Sequence, residues 1–271
     1  MRIGFIGGGN MATALISSLF ASRHSVDQVQ VADPSAEARE YLQKRWPVAC
    51  YEHAADAIKG IEAIVLAVKP QVLPYVLDEI QDLVTDQQLI ISIVAGIPTS
   101  HIAARLSSNP PIVRTMPNTP ALIGLGITGM YARVNCTLAQ RQLSQNLMES
   151  AGEVVWLDKE KLLDVVTAVS GSGPAYFYYL VESLRNAGSR LGLPAEVAAK
   201  LALHTAHGAS AMAVQSDEDV IELRQQVTTP GGTTEAAMEQ LSAGHFEQLI
   251  DSAITAATRR GQELADDEAD S

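Results

Sequence analysis

The sequence predicts an α/β protein, with an N-terminal doubly wound parallel sheet followed by an all-helical C-terminal half. Three observations carry that expectation. Strand-like and helix-like patterns alternate as far as residue 158, as parallel neighbours joined by crossover connections require. A glycine-rich turn, "FIGGGNMA", sits at the first strand-to-helix junction. Beyond Lys159, helical spacing of Ala, Leu and Val continues to about Leu264 with no convincing strand.

The elements follow in order. "RIGFIG" (residues 2–7) is a short apolar run ending in glycine, and a helical pattern runs from Asn10 to about Ser22. "VQVAD" (29–33) reads as a second strand and "SAEAREYLQKRW" as a second helix. "IEAIVLAV" (61–68) is apolar without alternation, the pattern of a strand buried on both faces. "PQVLPYVLDEIQDLV" returns as a helix with Pro70 in its opening turn. "QLIISIVA", "PIVRTM", "GITGMYA" and "GEVVWL" supply further strands. In the second half, helices are punctuated at "SGSGP", "GLP", "QSDED" and "TTPGG". "SGSGP" (170–174) lacks the order of a nucleophile elbow and reads as an N-cap with a tight entry turn. The expected domains are 1–158 for dinucleotide binding and a helical domain at 159–264. Residues 265–271, rich in Asp and Glu, form an acidic flexible tail.

Composition narrows the function. The 271 residues are 47% hydrophobic, enough for a large core, and carry a net charge of −12. No basic stripe is present for a nucleic-acid partner. No apolar run approaches the roughly 18 residues of a membrane span. Met1 leads straight into a strand pattern without a leader pattern, and Cys50 and Cys136 are far apart, as free thiols in a reducing compartment would be. A cytoplasmic protein with no membrane partner is expected.

Gly7, Gly9 and Ala12 match G-x-G-x-x-[G/A] between strand and helix. The first glycine allows the turn, the second lets the backbone approach a pyrophosphate, and the small third residue lets helix and strand pack. Asp33 ends the next strand, where a carboxylate accepts from the 2′-hydroxyl of NAD and repels the 2′-phosphate of NADP; alternatively, it caps the second helix. This makes the first half Rossmann-like. Asn118 and Thr119 in "RTMPNTPALIG" stand at the carboxyl end of a strand, where ligands of such sheets bind. In "TTPGGTT", Pro230 suits a first helical turn, while Gly231 and Gly232 allow close approach to the backbone. Thr233 and Thr234 then expose N–H groups at the positive helix end, a cradle for a carboxylate. His204 and His207 share a helix face but have no third metal ligand nearby, so no metal is expected. Broad small-residue helix faces suit either an internal core or pairing between subunits.

Taken in order, "IGFIGGGNMA", "LAVKPQ", "VAGI", "RTMPNTPA", "VSGSGPAY" and "TTPGGTT" resemble the pyrroline-5-carboxylate reductases over essentially the whole chain. The resemblance implies NADPH or NADH reducing the cyclic imine 1-pyrroline-5-carboxylate to L-proline. It also implies a helical domain that binds substrate and pairs two chains into a homodimer or larger homo-oligomer. By matched position, Gly7, Gly8, Gly9, Asn10, Met11 and Ala12 bind the dinucleotide. The backbones of Ala67, Val68, Lys69, Pro70, Val94 and Ala95 line its path. The Thr233 and Thr234 amides, beside Gly232, receive the substrate carboxylate, the Thr234 hydroxyl serves the ring nitrogen as the catalytic contact, and Asn118 stands near the nicotinamide. The chain departs from the family at Asp33, often non-acidic in a family that leans to NADPH. It departs again at "SDEDVIELRQQ", which contains Asp217 in place of an acidic-His-Pro-Gly stretch. Competing readings are another two-domain reductase of imines or 3-hydroxyacids, and a nucleotide-binding protein without turnover.

Overall fold

Continuous apolar runs need cover on both sides, and helices on the two faces of a sheet provide it. The computed structural model describes residues 1–21 and 27–269. The chain divides into two compact units: residues 1–172 with the segment from 257 onward, and residues 173–256.

The first unit holds an eight-stranded sheet, interleaved with helices. β1 (Arg2–Ile6) leads to α1 (Asn10–Ala21), β2 (Gln28–Ala32) to α2 (Ala36–Gln43), and β3 (Ala49–Tyr51) to the short α3 (Ala54–Ala57). β4 (Ala63–Leu66), a 3-10 turn (Pro70–Val72) and α4 (Leu73–Ile80) follow, then β5 (Leu89–Ser92) and α5 (Thr99–Ala104). β6 (Ile112–Met116), a second 3-10 turn (Thr119–Ile123), β7 (Gly126–Ala132), α6 (Leu138–Glu149), β8 (Gly152–Trp156) and α7 (Leu162–Val166) complete the unit's run. The order is β3-β2-β1-β4-β5-β6-β7-β8. Its first six positions are those of the doubly wound dinucleotide fold.

The period of two decides which core each strand residue enters. Ile3, Phe5, Val29, Val31, Ala63, Val65, Leu89 and Ile91 join the cluster with α1 and α6. Ile6, Ala32, Ile64, Leu66 and Ile90 join the opposite cluster with α3, α4 and α5. All four residues of β4 and of β5 are buried, as their unbroken apolar runs anticipate. The predicted end of α1 at Ser22 lies outside the described residues.

β6 and β7 pair antiparallel, whereas every other pair in the sheet is parallel. The physical reason is length. The link from Met116 to Gly126 holds a 3-10 turn and no crossover helix, so it returns the chain beside itself. A second difference concerns "SGSGP". In place of an N-cap and entry turn, the backbone runs from α7 into a π-helical segment (Thr167–Gly171) and directly into α8 (Gly173–Arg190). The Ser172 N–H donates to the Thr167 carbonyl at 2.8 Å, across the wider turn.

The second unit is helical. α8 and α9 (Ala195–Gln215) are joined by a short turn at Gly192, and the small side chains of Ala198 and Ala202 are the buried positions of α9. α10 (Val220–Gln226) and α11 (Thr233–Ala243) follow, and α12 (Phe246–Ala269) is the last helix, its residues from Ala257 belonging to the first unit. The acidic stretch from residue 265 is therefore helical backbone as far as Ala269, while Asp270 and Ser271 lie outside the described residues. Contact division falls between Ser172 and Gly173, later in the chain than the change of pattern near Asp158.

Candidate active site

The cofactor-type loop grows out of the end of β1. Gly7 has φ of 100°, where a side chain is strained, and a Cβ there would meet the Ala67 carbonyl. The Gly7 N–H donates to the Ala32 carbonyl at 2.8 Å, tying the loop to the end of β2. A Cβ at Gly9 would find nothing within 4 Å, so that peptide is open to a ligand. Asn10, Met11 and Ala12 begin α1, and Ala12 is buried against the sheet.

Asp33 stands at the end of β2, and it does not cap α2. Its Oδ2 accepts from the Gly8 N–H at 2.7 Å, and its Oδ1 accepts from the Ser35 N–H at 2.8 Å. The helix cap proper is Ser35, whose Oγ accepts from the Ala38 N–H at 3.3 Å. One carboxylate thus joins the glycine loop to the β2–α2 turn. Arg39 folds under the same turn, donating to the Asp33 carbonyl at 2.6 Å and the Pro34 carbonyl at 3.0 Å. Nearby on β3, burial pushes the Cys50 thiol up, with Arg39 opposing and Asp33 adding to the shift.

A cavity of about 660 Å³ opens here, walled by Gly7, Gly9, Asp33, Ala67, Val68 and Lys69 among others. That volume is in the range of small-molecule sites, and its position at the carboxyl ends of β1, β2 and β4 is where doubly wound sheets bind ligands. The strained glycine turn and the open Gly9 peptide fit a pyrophosphate; the cavity beyond Asp33 fits the adenosine end. The sequence did not single out Glu52, His53, Tyr75 or Glu79 on the wall. These lie on neighbouring loops and helices, with no local pattern to mark them. Gly8, Asn10, Met11, Ala12, Pro70, Val94 and Ala95 stand outside the wall. Pro70 opens a 3-10 turn, and Val94 is buried after β5. Another cavity, about 450 Å³ near Arg2, Lys59 and Glu62, lies at the amino ends of the strands, without a glycine turn.

Asn118 is buried after β6 and employed on both sides. Its Nδ2 donates to the Ser170 carbonyl at 3.2 Å, and its Oδ1 accepts from the Ile127 N–H at 2.9 Å. It therefore fastens the end of β6 to β7 and to the π segment. Four residues earlier, within β6, the sequence hid a charged cluster. Arg114, 5% exposed, pairs with Asp164 at 3.1 Å and Glu160 at 3.5 Å. Glu160 also accepts from the Thr99 N–H at 2.6 Å and hydroxyl at 2.9 Å. An arginine inside the apolar strand "PIVRTM" was the available signal, because a buried cation requires partners.

In the helical unit, α11 starts with no side-chain cap at Gly232. Gly231 has φ of 72°, and a Cβ at Gly232 would stand 2.6 Å from the Thr229 Oγ1. The Gly232 N–H donates to the Thr229 carbonyl at 3.0 Å, closing the turn. Glu235 reaches back so that its Oε2 accepts from the Gly231 N–H at 2.7 Å. The turn is thus held from both sides, while Gly232 at the N-cap offers no side chain to the first N–H groups of α11 at Thr233 and Thr234. Such a tip attracts an anion. Asp217 is exposed in the loop before α10, and the neighbouring Asp219 caps that helix instead, accepting from the Ile221 N–H at 2.7 Å. Among the described residues, no three His, Cys, Asp or Glu side chains group as a metal site.

Comparison with known proteins adds names to this geometry. Residues 160–264 match the family model described as pyrroline-5-carboxylate reductase dimerisation. Residues 2–96 match the model described as NADP oxidoreductase, coenzyme F420-dependent. The pyrroline-5-carboxylate reductase of Pseudomonas aeruginosa is 43% identical over 265 residues, spanning 98% of this chain and 97% of the relative. That of Haemophilus influenzae is 37% identical, with 97% of each covered. A solved pyrroline-5-carboxylate reductase from Coxiella burnetii superposes with TM-score 0.91 at 35% identity, over 97% of this chain and 98% of that one. The crystal structure of Plasmodium falciparum pyrroline carboxylate reductase with NADP bound gives 0.86 at 29% identity, over 98% of each.

Proposed function

The chain belongs to the pyrroline-5-carboxylate reductases, and from that membership we propose how its own residues perform the reaction. It is an oxidoreductase that uses NAD(P)H to reduce 1-pyrroline-5-carboxylate to L-proline, the closing step of proline biosynthesis. When bound, the reduced nicotinamide supplies a hydride to the imine carbon. A protonated cyclic imine already accepts hydride well, so the protein needs no metal and no nucleophile. Its tasks are to hold, align and exclude water.

Gly7 to Gly9 and the start of α1 hold the diphosphate, with the backbone from Ala67 to Pro70 and at Val94 and Ala95 along the path. The observation that carries the substrate reading is the uncapped α11 tip behind the Pro230–Gly232 turn. The amides of Thr233 and Thr234, beside Gly232, hold the substrate carboxylate. The Thr234 hydroxyl contacts the ring nitrogen as the imine becomes an amine. Asn118 keeps the loop after β6 in place near the nicotinamide. The domains of the reading are 1–158 for the dinucleotide and 159–264 for substrate and pairing, ahead of the acidic tail. We place the enzyme in the cytoplasm, a reading supported by its two free thiols.

Purified protein mixed with 1-pyrroline-5-carboxylate and either NADH or NADPH tests the proposal. Absorbance of the reduced coenzyme should fall only when the imine is present, with proline as product. Absence of turnover with both coenzymes would refute it.

A further inference from the structure

The geometry around Asp33 points to a coenzyme choice: we propose that this chain uses NADH in preference to NADPH, and that Asp33 decides it. The inference rests on the dinucleotide reading of the glycine-loop cavity and deepens it.

The carboxylate is held in place. Gly8 and Ser35 each donate a backbone N–H to a different oxygen of Asp33, at 2.7 and 2.8 Å. Anchored from two loops, the group cannot swing aside to admit a phosphate without breaking both bonds. Each oxygen keeps a further lone pair, so the pair still accepts from the two hydroxyls of an adenosine ribose. A 2′-phosphate at the same place would set a second anion against a fixed one and remove the 2′-hydroxyl donor from it.

The surroundings make no amends for that repulsion. Three carboxylates wall the cavity, Asp33, Glu52 and Glu79, against one lysine, Lys69. Lys69 follows β4, away from the end of β2 where Asp33 stands. The arginine nearest to Asp33 is already employed. Arg39 donates to the carbonyls of Asp33 and Pro34, approaches Glu52 at 3.8 Å, and keeps only 20% of its side chain exposed. Recruiting it to a phosphate would unfasten the turn that presents Asp33. Ser35, whose hydroxyl is a further candidate donor to a phosphate, caps α2.

Two measurements on the full chain test the proposal. In the first, NADH and NADPH are titrated separately into the protein without substrate, followed by coenzyme fluorescence, and kcat/KM is measured with each. NADH should bind tighter, and turn over more efficiently, by roughly tenfold or more. In the second, bound NADH is displaced by AMP or by adenosine 2′,5′-bisphosphate, which differ only at the ribose. AMP should displace it better. Asp33→Asn should narrow both ratios by several-fold, while Asp33→Glu should retain their sign. A wild-type protein that binds or turns over NADPH as well as NADH overturns the inference, and needs no variant to do so. A folded Asp33→Asn protein with unchanged ratios overturns the role of Asp33. Turnover with NADPH preferred leaves the reductase standing and removes only this inference; turnover with neither removes the reductase.

Discussion

The two units treat apolar surface in opposite ways. In the sheet unit, helices lie on both faces, and Phe5, Leu15, Ile64 and Leu66 reach zero exposure. In the helical unit, Tyr178, Leu201, Leu203, Met212 and Val214 are all more than half exposed, and Ala198 and Ala202 are the buried hydrophobics of α9. A sheet closed by its own crossover helices finishes its core within one chain. A set of helices with that much uncovered apolar surface finishes it by association, because soluble monomers rarely expose such contiguous faces. The residues concerned fall in the region that matches the dimerisation family, and the protein is a homo-oligomer through it.

The sharpest way to break this contrast is to charge the uncovered face. Leu201→Glu is expected to cost roughly 3–6 kcal/mol per dimer, since each buried leucine contributes about 1.5–3 kcal/mol and a two-fold axis uses it twice. Sedimentation should show dissociation with the sheet unit still folded. An oligomer of undiminished affinity would mean that this face serves something else. The matching variant in the other unit is Leu15→Ala, on the buried face of α1. It should lower unfolding free energy by about 2–5 kcal/mol through the cavity left behind. Denaturant titration measures that loss, and the oligomeric state at low denaturant should stay as it was. A smaller effect separates the units by chemistry. Thr234→Ala in the helical unit should reduce kcat/KM by roughly tenfold, about 1.4 kcal/mol, while coenzyme affinity, a property of the sheet unit, holds. Unchanged catalytic efficiency would take Thr234 out of the reaction.

What could be read ahead of the structure depended on how local the signal was. β4 and β5 announce themselves because both of their faces are buried. α11 announces itself because proline and two glycines precede it. β3 and α3 span three and four residues and are too short for any periodicity to register. α6 carries a local signal of its own. Thr137 and Gln140 form a reciprocal capping box, the T-x-x-Q spacing that marks a helix start. "SGSGP" misled because serine and glycine suggest a capped break, whereas the Asn118 amide and the Thr167 carbonyl hold that segment in a continuous π turn. Asn118 is read from the sequence as presenting its amide to a ligand; the fold adds two partners that the sequence does not mark, the Ser170 carbonyl and the Ile127 N–H.

The sequence by itself determined the sheet's buried strands, the glycine turn after β1, and the bare tip of α11. Each follows from side-chain period, positive φ or missing caps within a few residues. Only the tertiary structure decided that Asp33 clasps Gly8 across 25 positions, that Arg114 meets Glu160 and Asp164, and that β7 runs against β6. Those partners are distant along the chain, and nothing in the local free energy of either segment records which of them the folded backbone will bring together.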